Sequence, residues 1–142
     1  MRTPSMPTET VHIDWIRDQV FLLRDRSGFP IVMAQPSGVN GSDLLPLSVI
    51  GCSIWDIVDI LQKQRQQITD VQATAESERE AEPPWRFRKI HILYSFTGRG
   101  LNEEAIRRAV ELTEDKYCST CATIREVVEL TSEYRILDVE GD

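Results

Sequence analysis

Three cysteines carry the most reactive side-chain chemistry in this 142-residue chain. Cys52 lies in the apolar run VIGCSIWDIV, residues 49–58, while Cys118 and Cys121 form a C-x-x-C within KYCSTC, residues 116–121. A thiol attacks only as its thiolate, and nearby positive charge or a helix N-terminus favours that form. Lys116 brings such a charge, and the C-x-x-C falls where a helix is expected to start. A cysteine in an apolar run most often packs as a small hydrophobe. Two features set Cys52 apart: Gly51 directly before it leaves room for close approach, and the chain holds a second thiol cluster.

Other chemistries find less support. A thioredoxin-type C-x-x-C follows a strand in a βαβ unit, whereas this one follows a helix. A zinc site would need Cys52, Cys118, Cys121 and either His12 or His91, and no second C-x-x-C is present to close it. His91 falls on the polar side of a strand pattern and reads as a solvated residue. No Ser-His-Asp motif and no phosphate-binding glycine loop occurs.

The elements that must position the thiols follow from periodicity. Residues 10–16 and 19–24 are β-prone runs around Arg17-Asp18, and 29–35 is a third beyond the turn Arg26-Ser27-Gly28. PSGVNG, residues 36–41, is a loop. Ser42 or Asp43 is the expected N-cap of a long helix, with Pro46 in its first turn or so. Leu44, Leu47, Ile50, Ile54, Ile57 and Leu61 recur at helical spacing, and Val49 and Trp55 spread the apolar surface nearly all round. Such a helix belongs at the centre of a domain or a dimer.

Residues 68–80 and 86–97 read as two long strands around Ala81-Glu82-Pro83-Pro84, the second burying Ile90, Ile92, Tyr94 and Phe96 on one face. Asn102 caps the next helix, whose inner face is Ile106, Ala109, Val110 and Thr113. A short helix from about Cys118 and a closing strand within 127–139 complete the order βββ–α–ββ–αα–β. That order defines an α+β fold with mostly antiparallel pairing. Residues 1–9 read as a disordered leader, and residues 10–142 as a single domain.

Composition narrows the function classes. The net charge is −7, from 16 basic and 23 acidic side chains, the opposite of a nucleic-acid surface. Asp56 and Asp59 interrupt the longest apolar stretch and make membrane insertion costly. The N-terminal residues MRTPSMPTET have no apolar core segment of the secretory kind. An odd number of cysteines without an export signal argues against a disulfide framework, and the cytoplasm is the expected location.

Taken together, several segments resemble the OsmC/Ohr family, most closely its OsmC-like branch. They are Asp43-Leu44-Leu45 with Ile50-Gly51-Cys52, Asp56-Ile57-Val58 with residues 61–66 (LQKQRQ), and Ile68-Thr69-Asp70-Val71 with Lys89-Ile90-His91. Residues 101–105 (LNEEA) and 114–119 (EDKYCS) continue the match, which spans roughly residues 10–138. The resemblance implies an intertwined homodimer with active sites at the subunit interface, in which sheets from both subunits wrap long central helices. It implies a thiol-dependent peroxidase acting on organic hydroperoxides, part of oxidative stress defence. Cys52 would be the peroxidatic thiolate and Cys118 would resolve its sulfenic acid as a disulfide. An external dithiol, and no bound cofactor or metal, would restore both thiols. Peroxidase branches carry a glutamate ten residues before the first cysteine, where this chain has Ser42, followed by Asp43. They also carry an activating arginine from the N-terminal sheet, for which Arg24 and Arg26 are the candidates. Cys121 stands where relatives usually have a small residue. A non-enzymatic or redox-sensing module that binds small molecules is the alternative.

Overall fold

The computed structural model describes residues 6–139. Contacts divide the chain into two compact units, with the boundary between Leu44 and Leu45.

The first unit is an antiparallel sheet of β1 (His12–Arg17), β2 (Val20–Arg24) and β3 (Pro30–Ala34), in sequence order. Asp18 adopts a positive φ of 46° in the first hairpin, and its carbonyl accepts the Trp15 indole N–H at 2.8 Å. The second hairpin is held by the Asp25 carboxylate, which accepts the amides of Ser27 and Phe29 at 2.9 and 2.8 Å. Gly28 turns the chain there with φ +89°, a conformation that suits glycine. Of the expected leader, residues 1–5 lie outside the described residues. Residues 6–9 have no regular structure, and the Glu9 carboxylate pairs with Arg26. Ile13, Trp15, Phe29 and Val32 are each half or more exposed.

The helix cap differs from expectation. A 3-10 turn, Gly41–Asp43, precedes the long helix, and Asn40 caps it by accepting the Ser42 amide at 3.0 Å. Ser42 and Asp43 are therefore inside the turn, and the capping oxygen comes from the residue before it.

The second unit begins in the long helix α1 (Leu44–Lys63) and continues through β4 (Gln67–Arg79), β5 (Phe87–Arg99), α2 (Glu103–Leu112), α3 (Ser119–Ile124) and β6 (Glu129–Asp138). Its sheet has the order β4-β5-β6, with β4 antiparallel and β6 parallel to central β5. Because β5 and β6 run the same way, the chain must cross over between them, and α2 and α3 make that crossover. Ile90, Ile92, Tyr94 and Phe96 of β5 are completely buried on one face, as their period of two requires. They meet Val49, Ile57 and Leu61 of α1, Ile106, Ala109 and Val110 of α2, and Cys121 and Ile124 of α3 in one core. Glu76, Ser77, Glu78 and Arg79 leave the tip of β4 exposed. Gly98 is required by close approach: a Cβ there would meet the Gln67 carbonyl at 2.2 Å.

By length and composition Gly41–Lys63 is long and apolar enough to cross a membrane. Its stripe Val49, Ser53, Ile57, Leu61, however, is sealed against β5 and α2, and Asp56 and Asp59 punctuate the outer side. This is the pattern of a core helix. α1 covers one stripe only, since Leu47 is 50% and Trp55 77% exposed.

Asn102 caps α2 by accepting the Ala105 amide at 3.1 Å. Asn102→Ala is expected to cost about 1 kcal/mol, read as a shifted midpoint in urea at unchanged slope.

Candidate functional site: a cluster of three thiols

α1 delivers Cys52 half-buried, one residue before the buried Ser53. After α2 the backbone widens into a single π-helical turn, Thr113–Tyr117, which ends at Cys118. Such turns interrupt helices mostly where function requires a displaced side chain. Here it carries Cys118 inward, to 1% exposure, as the residue that caps α3.

Three contacts stitch the start of α3 to α1. The Cys52 sulfur shares a hydrogen bond with the Ser119 hydroxyl at 3.9 Å. The Thr120 hydroxyl lies 3.3 Å from the Ser48 carbonyl. The Cys118 sulfur lies 3.9 Å from the Val49 carbonyl, to which it donates when protonated. All three cysteines are free thiols, and Cys118 and Cys121 are both buried.

Donors converge on Cys118. The Cys121 thiol is the strongest, followed by the Thr120 hydroxyl 3.2 Å away and the Cys121 amide at 3.3 Å; the Cys52 thiol adds a weaker bond. Burial opposes them and loses, so the Cys118 thiol is lowered to about 5. Thr120 has one proton to give, so it serves Ser48 when Cys118 is protonated and Cys118 when it is a thiolate. The Cys121 thiol is pushed the other way. Its proton is held first by the Cys118 sulfur, then by burial and by the negative charge of its neighbour. The pair thus shares one proton, carried by Cys121.

This sharing sets a pH dependence. Unfolded, each thiol titrates at about 8.5. Between about pH 5, where Cys118 ionises in the fold, and about 8.5 the unfolded chain binds one proton more than the native one. Stability from the pair therefore rises with pH across that window and is lost as pH falls through the folded value. Above about 8.5 the slope reverses, because folded Cys121 keeps a proton that the unfolded chain gives up. The unfolding free-energy difference between wild type and Cys118→Ser should rise with pH across the lower window in urea titrations.

A second polar group lies beneath the thiols. The Tyr94 hydroxyl, wholly buried, is 2.9 Å from the Ser53 hydroxyl and 3.3 Å from the Glu114 carboxyl, which also accepts the Ser132 hydroxyl at 2.8 Å. Burial pushes the Glu114 carboxyl up, against the hydrogen bonds from Ser132 and Tyr94. Arg125 ties the π-helical turn to α3 by donating to the carbonyls of Glu114 at 2.6 Å and Cys121 at 3.3 Å. Ser53, Tyr94, Glu114 and Ser132 did not stand out as site residues in the sequence. One signal was available: a tyrosine in the buried phase of a strand must find its hydroxyl a partner.

The structure brings Cys52, Cys118 and Cys121 together. Asp43, Arg24 and Arg26 belong to the first unit: Asp43 closes the 3-10 turn, Arg24 donates to the Gly28 carbonyl at 2.9 Å, and Arg26 pairs with Glu9. Gly51 has open space where a Cβ would stand, so no close approach among the described residues uses it. His91 hydrogen-bonds Thr131 at 2.7 Å and lies 3.5 Å from Glu133, and His12 pairs with Asp14. Among the described residues no group of three or more His, Cys, Asp or Glu could hold a metal ion. A cleft of about 380 Å³ is lined by Asp56, Asp59, Ile60 and Lys63 of α1 and by Tyr117, the residue before Cys118.

An α+β chain with a cysteine on its long helix and another between the two crossover helices defines a class. The sequence profile described as OsmC-like protein matches residues 34–133, and the chain belongs to that family. It is 34% identical over 128 residues to Protein YhfA of Escherichia coli K12, covering 88% of this chain and 96% of that protein. A hypothetical protein from Aquifex aeolicus VF5 shares the fold with a TM-score of 0.85 and 27% identity, over 95% of this chain and all of that one. The organic hydroperoxide resistance protein OhrB of Bacillus subtilis superposes with a TM-score of 0.58 at 14% identity, over 89% and 98% of the two chains. At that identity the likeness is one of fold.

Proposed function

We propose that this protein is a thiol-dependent peroxidase that reduces organic hydroperoxides, with Cys52 as the attacking thiol and Cys118 as the resolving one. One observation carries the reading: Cys118 is a buried thiol at the start of α3 whose pKa is lowered, and the hydroxyl of the adjoining Ser119 meets the Cys52 sulfur of α1 at 3.9 Å. The Cys52 thiolate would attack the distal peroxide oxygen, releasing an alcohol and leaving a sulfenic acid. The Cys118 thiolate would attack that sulfur, expel hydroxide and form the disulfide. An external dithiol would then return both thiols. Membership in the OsmC-like family and the fold shared with a hydroperoxide resistance protein support this reading.

The active form in this reading is a homodimer in the cytoplasm, and exposed apolar surface is what supports the dimer. Trp55 and Leu47 on α1, and Ile13, Trp15 and Phe29 on the first sheet, are surfaces that a second copy would cover. Steady-state consumption of cumene hydroperoxide with dihydrolipoamide as reductant tests the activity. Sustained turnover is the expected result. Absence of turnover, together with thermal stabilisation by an apolar or electrophilic small molecule, would favour the binding module instead.

A further inference from the structure

Cys121 has no task in the two-thiol cycle, yet it is wholly buried and its amide donates to the Cys118 sulfur at 3.3 Å. The two residues are three apart across the first turn of α3. That spacing places their Cα atoms roughly 5–6 Å apart, inside the range a disulfide requires. Cys118 therefore has Cys121 beside it in the first turn of α3, while Cys52 of α1 approaches the same turn through the Ser119 hydroxyl at 3.9 Å.

We propose that Cys118 and Cys121 form a second redox pair, which takes over the disulfide from Cys52 and is the resting oxidised form of the protein. The entry of oxidant through Cys52 rests on the peroxidase reading above; the pairing itself stands on the spacing of Cys118 and Cys121 across the first turn of α3 and the contact between them. The exchange balances. The Cys121 sulfur attacks the Cys118 sulfur of the Cys52–Cys118 disulfide, the Cys118–Cys121 bond forms, and Cys52 leaves as a thiolate that takes up the proton Cys121 gives up. No net oxidant or reductant is consumed. The first disulfide also removes the Cys118 thiolate that kept Cys121 protonated, which frees Cys121 to attack. An external dithiol reduces the final bond.

Diamide separates this from the peroxidase question, because its N=N bond is reduced to a hydrazine by any two thiols that can pair. Reduced protein is treated with one equivalent at pH 8, blocked with N-ethylmaleimide and digested with trypsin. Cys118 and Cys121 share the tryptic peptide 117–125 (YCSTCATIR), so their bond appears as a loss of two hydrogens without a cross-link. The expected result is this peptide in about tenfold or greater excess over the Cys52–Cys118 cross-link, with Cys52 alkylated. Cys121→Ala, checked for folding by circular dichroism, should shift the bond to Cys52–Cys118. Wild type that keeps Cys52–Cys118 with Cys121 alkylated, or that never bonds Cys121, would overturn the proposal. A protein inert to peroxide that still forms the Cys118–Cys121 bond with diamide would overturn only the peroxidase reading.

Discussion

Cys52→Ser is expected to lower cumene hydroperoxide turnover by roughly a thousandfold or more, as losses of covalent nucleophiles do. A serine hydroxyl does not ionise near neutral pH and forms no sulfenic acid, so the substitution removes the chemistry while keeping nearly the same volume. Cys52 is half-buried and its contact with the Ser119 hydroxyl is long, at 3.9 Å, so the fold loses little. Cys118→Ser should behave differently: one equivalent of peroxide is still consumed, because attack precedes resolution, and sustained turnover then fails. Peroxide assays with and without dihydrolipoamide separate the two. A Cys52→Ser protein retaining more than a tenth of wild-type turnover would remove Cys52 from the mechanism.

A large stability effect is expected at Ile57. It is completely buried, one turn after Ser53 on the stripe that seals α1 against β5 and α2. Ile57→Ala removes buried methylene and methyl groups and leaves a cavity, which typically costs about 2–5 kcal/mol. In a chain of this size that lowers the melting temperature by roughly 5–20 °C. Urea unfolding followed by circular dichroism measures it. Trp55→Ala is a useful contrast, because Trp55 is 77% exposed in the single chain. If a second copy covers it, its cost should appear as a stability that depends on protein concentration.

Much of this fold was legible where a period repeats. The two-residue alternation of Ile90, Ile92, Tyr94 and Phe96 placed β5 and its buried face, and Asn102 followed by Glu103 and Glu104 placed α2. The start of α1 was harder. Asn40, Ser42 and Asp43 are all capping types, and only the 3-10 turn decides among them. The apolar surface of α1 reads as central from sequence, whereas a single chain buries only the stripe from Val49 to Leu61. The sequence spacing of Cys52 and Cys118 pointed to the family's thiols. What it lacked was the reason Cys118 is a thiolate, which is the convergence of Cys121, Thr120 and an amide after a π-helical turn. The sequence suggested Lys116 as the charge source; Lys116 is exposed, and the leading causes of the Cys118 shift are hydrogen bonds from Cys121 and Thr120.

The central claim is that Cys52 is the thiol that meets the peroxide. It is tested most directly in Cys118→Ser protein, where the sulfenic acid has lost its usual resolving partner. One equivalent of cumene hydroperoxide is added in the presence of dimedone, and the peptides are mapped by mass spectrometry. The expected result is a dimedone adduct on Cys52. An adduct confined to Cys121, or a protein whose thiols all survive unmodified, would contradict it.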